Sequence, residues 1–338
     1  MLLGIEQTAR RTHASGADDI APFTLVSGFL GSGKTTLLQR MLERPAGRRI
    51  AVLVNDFGAV NIDAALLRNR GPTVFELSNG CACCSLAAGL AQTLADLLAD
   101  ARTYDAIVME ASGIAEPLGI LHVALSNPGL RLNAVITVAD ASQIQRQLED
   151  PLAAATIEQQ IRAADLVVLN KLDLLDADGL AWARECLADI APDVRTVTAA
   201  HGNIPTELLL DVDLAAGAHT YLANAPAWHE TPYTSHVLET PALLDQQRLC
   251  ALAEALPAVI LRAKGFVRLA HDGSHHYLLE VVGRRWSLVR QPPDAACPQG
   301  LVVIGTPQAD DLCRLRAALQ ACGSKPGAAN FQGSGSSK

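Results

Sequence analysis

The octapeptide Gly28-Phe29-Leu30-Gly31-Ser32-Gly33-Lys34-Thr35 restricts this chain to very few folds, because it satisfies G-x-x-x-x-G-K-[ST] at every position. Phe23 to Ser27 just ahead of it reads as a buried strand, and Thr36 to Leu42 just after it reads as a helix. Strand, glycine loop and helix in that order form the setting in which the motif binds phosphate. The glycines let consecutive backbone N–H groups turn inward around an anion, and the helix start adds a partial positive charge. Lys34 then reaches the β and γ phosphates, and the Thr35 hydroxyl holds Mg²⁺. Gly28, Gly31, Ser32, Gly33 and Thr36 complete the cradle. A chance glycine turn would leave the Lys-Thr pair and both flanking elements unexplained. The chain is expected to bind a nucleoside triphosphate.

Short apolar runs alternate with amphipathic stretches from about residue 22 to 200. Strands are expected at 23–27, 50–54, 106–110, 133–138, 166–170 and 194–198, with helices between most of them, such as 86–101 and 180–190. Continuous apolar strands separated by helices indicate an α/β fold, a mostly parallel, doubly wound sheet covered on both faces. Strand order is not readable from this pattern. Residues 217–232 break into Ala, Asn, Pro and aromatic residues and read as a linker. Beyond it come a strand near 236–239, a helix over 243–256, strands at 258–269, 277–282, 286–290 and 301–305, and a last helix over 309–322. Asp272-Gly273 is the expected tight turn between two of these strands. The expected division is a tail (1–21), a P-loop domain (22–216), the linker, a smaller α+β domain (233–322) and a Gly/Ser-rich tail (323–338).

Composition narrows the partners. A net charge of −8 with no basic cluster argues against nucleic acid, whose phosphates need a basic surface. No apolar run approaches a membrane span, and residues 1–21 lack the apolar block of a secretory signal, so a cytoplasmic protein is expected. In that reducing compartment eight cysteines are thiols or metal ligands in preference to disulfides.

The base of the nucleotide is read from Leu166-Val167-Val168-Leu169-Asn170-Lys171-Leu172-Asp173, a strand ending in N-K-x-D. The Asp173 carboxylate can accept from guanine N1–H and N2–H₂, whereas adenine would present it with a lone pair. Lys171 would lie along the base plane, Asn170 would tie the loop back to the P-loop, and Ala199-Ala200 would supply a capping loop. On the phosphate side, Glu110 ends a strand and precedes Ala111-Ser112-Gly113. Glu110 is placed to orient water or a Mg²⁺ ligand, and the Gly113 N–H to sense the γ-phosphate.

Between these elements sits Asn79-Gly80-Cys81-Ala82-Cys83-Cys84-Ser85-Leu86, with three thiols in four residues at the opening of a helix. Helix N-termini and bound cations both favour thiolate, the form that binds metal. Inert core cysteines would not need to be clustered, and a Cys83–Cys84 bond suits a reducing cell poorly. The other five cysteines, Cys186, Cys250, Cys297, Cys313 and Cys322, lack ligand spacing, and Cys186 and Cys250 read as small core residues.

Taken together, these motifs resemble the CobW-type GTPases, a metallochaperone family of P-loop NTPases related to the urease and hydrogenase nickel-insertion GTPases. The matching segments are GFLGSGKTT (28–36), VNDFGAVNID (54–63), NGCACC (79–84), EASGIAEP (110–117), QIRAADLVVLNKLD (160–173) and RAKGFVRL (262–269), the last resembling the core of the family's C-terminal domain. The resemblance implies GTP hydrolysis coupled to delivery of a transition metal to a client metalloprotein, with zinc ahead of cobalt. It implies Lys34, Asp56 and Glu110 as catalytic residues, Thr35 as the Mg²⁺ ligand, and Asp56, Glu110, Cys81, Cys83 and Cys84 around metal. Which of the thiols ligate stays open, as does a homodimer. Many relatives carry Glu where Asp56 stands, so this carboxylate is one methylene shorter. Their long histidine-rich stretch is also missing; its nearest substitute is His271, His275 and His276, where exposed turn histidines are more readily solvated than ligating. Three other readings stay open: a metalloenzyme activator of the nitrile hydratase or cobalamin-pathway type, a metal sensor whose nucleotide is structural, and a small-molecule kinase, against which N-K-x-D counts.

Overall fold

Both faces of strand β1 (Ala21–Ser27) are covered, which is why its sequence is apolar without alternation. Phe23 and Leu25 point into one core with Ala51, Leu53, Ile107 and Met109, while Val26 points into another with Val52, Val54 and Val108. The computed structural model describes residues 20–45, 48–54, 74–76, 85–99, 104–211, 232–292 and 299–324. In it β1 is the middle of a seven-stranded parallel sheet. The other strands are β2 (Ile50–Val54), β3 (Val74–Glu76), β4 (Ala106–Glu110), β5 (Leu130–Asp140), β6 (Leu166–Asn170) and β7 (Arg195–Thr198), in the order β3-β2-β4-β1-β5-β6-β7. Three-residue β3 is too short to leave a periodic signal, and the sequence pattern misses it.

Helices lie on both sides of this sheet. On one side, α2 (Ser85–Ala99) and α3 (Pro117–Leu125) contribute Leu90, Leu94, Leu97, Ile120, Leu121 and Ala124 to the core holding Phe23. On the other, α1 (Lys34–Glu43) contributes Leu37, Leu38 and Met41 to the core holding Val26. Helices α4 (Ile144–Glu149), α5 (Pro151–Ala163) and α6 (Ala177–Ile190) cover the β6 end around Ile157, Ile161, Val167, Leu169 and Leu187. The short helix α7 (Thr206–Leu209) follows β7.

A second sheet, antiparallel, has the order β11-β10-β9-β12-β8. Its strands are β8 (Thr234–Leu238), β9 (Ile260–Leu269), β10 (Asp272–Val282), β11 (Arg285–Arg290) and β12 (Gly300–Gly305). Leu301 and Val303 of β12 face a core shared with α8 (Gln246–Glu254) and α9 (Ala309–Ala321), whereas Val302 and Ile304 face the core that contains α1. One period-2 strand thus joins the two units into continuous apolar packing. Asp272-Gly273 is not the turn between β9 and β10. That turn is Ala270-His271, and Asp272 already pairs with Leu269 as β10 begins. Its carboxylate accepts from the Tyr277 hydroxyl at 2.9 Å and contacts His275 Nδ1 at 2.7 Å, so it serves side chains of β10 and not a turn.

Polar contacts across the junction are buried and numerous. Asp211, just past α7, meets Lys264 Nζ at 2.5 Å, Arg262 at 3.2 Å and Arg131, while Glu280 meets Lys264 at 3.2 Å and Arg131 at 3.3 Å. Burial alone pushes the Asp211 carboxyl up, but Lys264, Arg131 and Arg262 together outweigh it and hold the group well below the usual carboxylate range. Arg195 of β7 donates to the carbonyls of Ile260 and Leu256 across the same boundary, and burial lowers its pKa to about 10. Arg285 of β11 grips Asp165 through Nε and Nη2, each at 3.0 Å.

Candidate nucleotide site

Ligands of open α/β sheets lie outside the carboxyl ends of the strands, and the P-loop leaves that end of β1. Gly28, Gly31 and Gly33 all have positive φ, at 139°, 72° and 101°. Gly33 has a second constraint: a Cβ there would stand 2.3 Å from Asn170 Nδ2. Gly33→Ala is expected to cost about 1–3 kcal/mol of stability from backbone strain and to weaken GDP binding by displacing Asn170. Thermal unfolding with and without GDP measures both effects. Lys34 opens α1 and is buried; its Nζ donates to the carbonyls of Gly28 at 2.9 Å and Phe29 at 3.2 Å, arching over the loop. Ser32 is buried behind the loop, while Gly31 and Thr36 face solvent.

Strand register brings the two expected Mg²⁺-side oxygens together. Glu110 ends β4 opposite Val26 of β1 and Val54 of β2. Its Oε1 accepts a hydrogen bond from Thr35 Oγ1 at 3.0 Å, across 75 residues of sequence. Hydroxyl and carboxylate oxygens are the donors that a hard divalent ion takes, so this pair fits Mg²⁺. Gly113 is buried three residues further on, where a Cβ would stand 2.8 Å from the Leu30 backbone nitrogen.

At the base end, Asn170 is a bracket. Its Nδ2 donates to the Ser32 carbonyl at 3.0 Å, and its Oδ1 accepts from the Gly202 N–H at 2.9 Å. One side chain therefore ties the phosphate loop to the loop that follows β7. That loop is also held by Leu172 N–H to the Ala199 carbonyl at 3.2 Å and by Arg40 Nε of α1 to the His201 carbonyl at 2.9 Å. Lys171 adopts φ 64°, and its Nζ pairs with Asp140 Oδ2 at 2.6 Å. Asp173 sits in a 3₁₀ turn (Leu172–Leu174), 3.7 Å from His201 Nε2.

Asp140, His201 and Gln160 are neighbours of the site that the sequence reading did not name. Asp140 left one signal, an acid at the end of a buried strand, as Glu110 is. Asp56, Cys81, Cys83 and Cys84 lie outside the described residues, as does Cys297. Cys186 and Cys250 are half-buried on α6 and α8 and do not belong to the core. Burial, the first cause for each, pushes their thiols up, away from reactive thiolate. Among the described residues no three His, Cys, Asp or Glu side chains are grouped to hold a metal ion, and no helix is long and apolar enough to cross a membrane.

The family model for the CobW/HypB/UreG nucleotide-binding domain matches residues 22–198, and that for the cobalamin synthesis protein CobW C-terminal domain matches 233–323. The chain belongs to the CobW family of P-loop GTPases. It is 33% identical to the zinc chaperone CobW of Pseudomonas aeruginosa, over 88% of this chain and 92% of that protein. It is 31% identical to the zinc chaperone YjiA of Escherichia coli, over 76% and 84%. Similarity extends to the zinc-regulated GTPase metalloprotein activator 1 of Dictyostelium discoideum, at 28% identity over 79% of this chain and 66% of that one.

Proposed function

We propose that this protein is a GTP-hydrolysing metallochaperone that binds Zn²⁺, with Co²⁺ second, at Cys81, Cys83 and Cys84 and transfers it to a client metalloprotein. The observation that carries the nucleotide half is the Asn170 bracket, which holds the phosphate loop and the base-reading residues in fixed relation. Lys34 and the P-loop amides neutralise the β and γ phosphates. Asn170, Lys171 and Asp173 hold guanine, and the Lys171–Asp140 pair fixes the lysine stem against the base plane. Thr35 and Glu110 would hold Mg²⁺, which supplies electrostatic stabilisation of the charge developing on the phosphates. Glu110 would orient the attacking water or a Mg²⁺ ligand, and Asp56 would stand near Mg²⁺ or the transported ion.

The metal half rests on position. The thiols fall between β3, which pairs with β2, and α2, on the segment joining the sheet to the second phosphate-side strand. Thiolates select soft or borderline ions, and a mixed S, N and O set suits Zn²⁺ or Co²⁺. The names of the relatives support zinc and a client protein. Linkage requires that a metal which favours the GTP state be favoured by GTP to the same degree. Replacing Cys81, Cys83 and Cys84 together by serine is expected to leave GDP affinity unchanged. It should weaken Zn²⁺ binding by more than about a hundredfold, since outer-shell changes alone cost about 10–100-fold. A competitive zinc titration reads this, and parent-like zinc affinity in the triple variant would overturn the assignment.

A further inference from the structure

Gln160 lies in α5, far in sequence from the phosphate motifs, yet its side chain ends beneath the loop that follows Glu110. The residue is 1% exposed, and its Nε2 donates to two carbonyls of that loop, Gly113 at 3.1 Å and Ala115 at 3.2 Å. The orientation of the amide follows from these partners, because turning it over would aim its oxygen at two other oxygens. The backbone is fixed as well: the Gln160 carbonyl accepts from Thr137 Oγ1 of β5 at 2.8 Å. Among the described residues, the buried amide oxygen, Oε1, has no hydrogen-bond partner.

Buried side-chain acceptors are rarely left unmet, yet this one stands in an otherwise buried position. The two carbonyls explain why. An apolar replacement would free Oε1 from its cost but orphan both loop carbonyls. The same loop is closed by the Ala115 N–H, which donates to the Ser112 carbonyl at 2.9 Å. That carbonyl shares a peptide plane with the Gly113 N–H, so fixing one aims the other. Leu30 of the P-loop lies close by, so that a Cβ on Gly113 would stand 2.8 Å from its backbone nitrogen.

We infer that Gln160 is a positioning residue for GTP hydrolysis: it presets the turn at Ser112–Ala115 so that the Gly113 N–H meets the γ-phosphate, and it thereby sets the preference for GTP over GDP. The inference rests on the reading that Gly113 senses the γ-phosphate. Ten residues after Gln160 the same chain segment reaches Asn170, so α5 and β6 carry the strut for the phosphate loop and the bracket for the base site on one continuous stretch.

The test uses the full chain carrying Gln160→Met, which keeps an unbranched side chain of similar volume and has no donor. Affinities for GDP and for a non-hydrolysable GTP analogue are measured beside single-turnover hydrolysis. GDP affinity is expected to stay within about twofold, while the analogue-to-GDP ratio and the hydrolysis rate each fall about tenfold, the scale of one or two lost hydrogen bonds. Equal losses for both nucleotides, or an unchanged ratio, would overturn the proposal. Gly113→Ala, which drives a methyl into Leu30, tests the underlying reading and is expected to collapse the same ratio. A collapse there but not in Gln160→Met removes the strut alone; an unchanged ratio in both removes the γ-phosphate reading too. Amide exchange at Ala115 in the unsubstituted protein gives a measurement independent of variant folding. Protection is expected without nucleotide, and exchange as fast as an open turn until GTP analogue binds would contradict a preset loop.

Discussion

Asp173→Asn is expected to lower GTP affinity by about 10⁴-fold and to transfer preference to xanthosine triphosphate. The size is that of a site built to hydrogen-bond its ligand, where analogues lacking the matching group are rejected by about 10⁴–10⁵. A carboxylate accepts from both guanine N1–H and N2–H₂, while an asparagine presents one acceptor and one donor, and the donor meets the guanine amino group. Xanthine carries a carbonyl at that carbon and accepts the hydrogen bond instead. The scaffold around residue 173 does not depend on its charge, because Asn170 is held by Ser32 and Gly202 and Lys171 by Asp140. Titration of both triphosphates against a fluorescent diphosphate decides the matter. Retained GTP affinity with no gain for the xanthine nucleotide would remove Asp173 from the base site.

The second large effect is structural. Asp211→Ala is expected to destabilise the protein by about 3–5 kcal/mol, the cost of leaving buried charge uncompensated. Lys264 Nζ, Arg262 and Arg131 all converge on this one carboxylate, and Lys264 and Arg262 are themselves buried. Glu280 remains, and among the described residues its ion pairs are with Lys264 and Arg131. The loss is read as a fall in the denaturation midpoint. A variant within about 1 kcal/mol of the parent would show that the cluster contributes little. The pH dependence has a definite sign. The folded-state pKa of Asp211 is depressed, so its stabilisation is present in full above the ordinary carboxylate pKa of about 3.9 and is lost as pH falls from there toward the folded value. The parent should therefore lose stability on acidification more steeply than Asp211→Ala does.

Residues that act through local spacing were the ones legible in advance. A phosphate loop needs its glycines, lysine and threonine within eight consecutive residues, and a guanine loop needs its asparagine and aspartate within four, so both leave a signature in the chain itself. Every strand of the first sheet except the three-residue β3 was readable, and burial on both faces gives the unbroken apolar runs of Ile50 to Val54 and Leu166 to Leu169. The Asp272-Gly273 turn misled because a turn dipeptide is also a good place for an acid that serves side chains further along its strand. The partners of Asp140 and Gln160 were not legible, although Asp140 carried the mark of an acid ending a buried strand. Each works by reaching a residue 31 or more positions away, and nothing in the local sequence announces the partner.

Sequence alone determined that the chain folds as an α/β P-loop protein, which nucleotide it is built to prefer, and where its clustered thiols lie, because each depends on chemistry carried by a few adjacent side chains. Only the tertiary structure decided the strand order, the meeting of Thr35 with Glu110, the second arm of the Asn170 bracket to Gly202 and the ion cluster that joins the two sheets. Those depend on which strands become neighbours, and pairing across a parallel sheet is set by packing of whole helices on its faces, a quantity that no short stretch of residues contains.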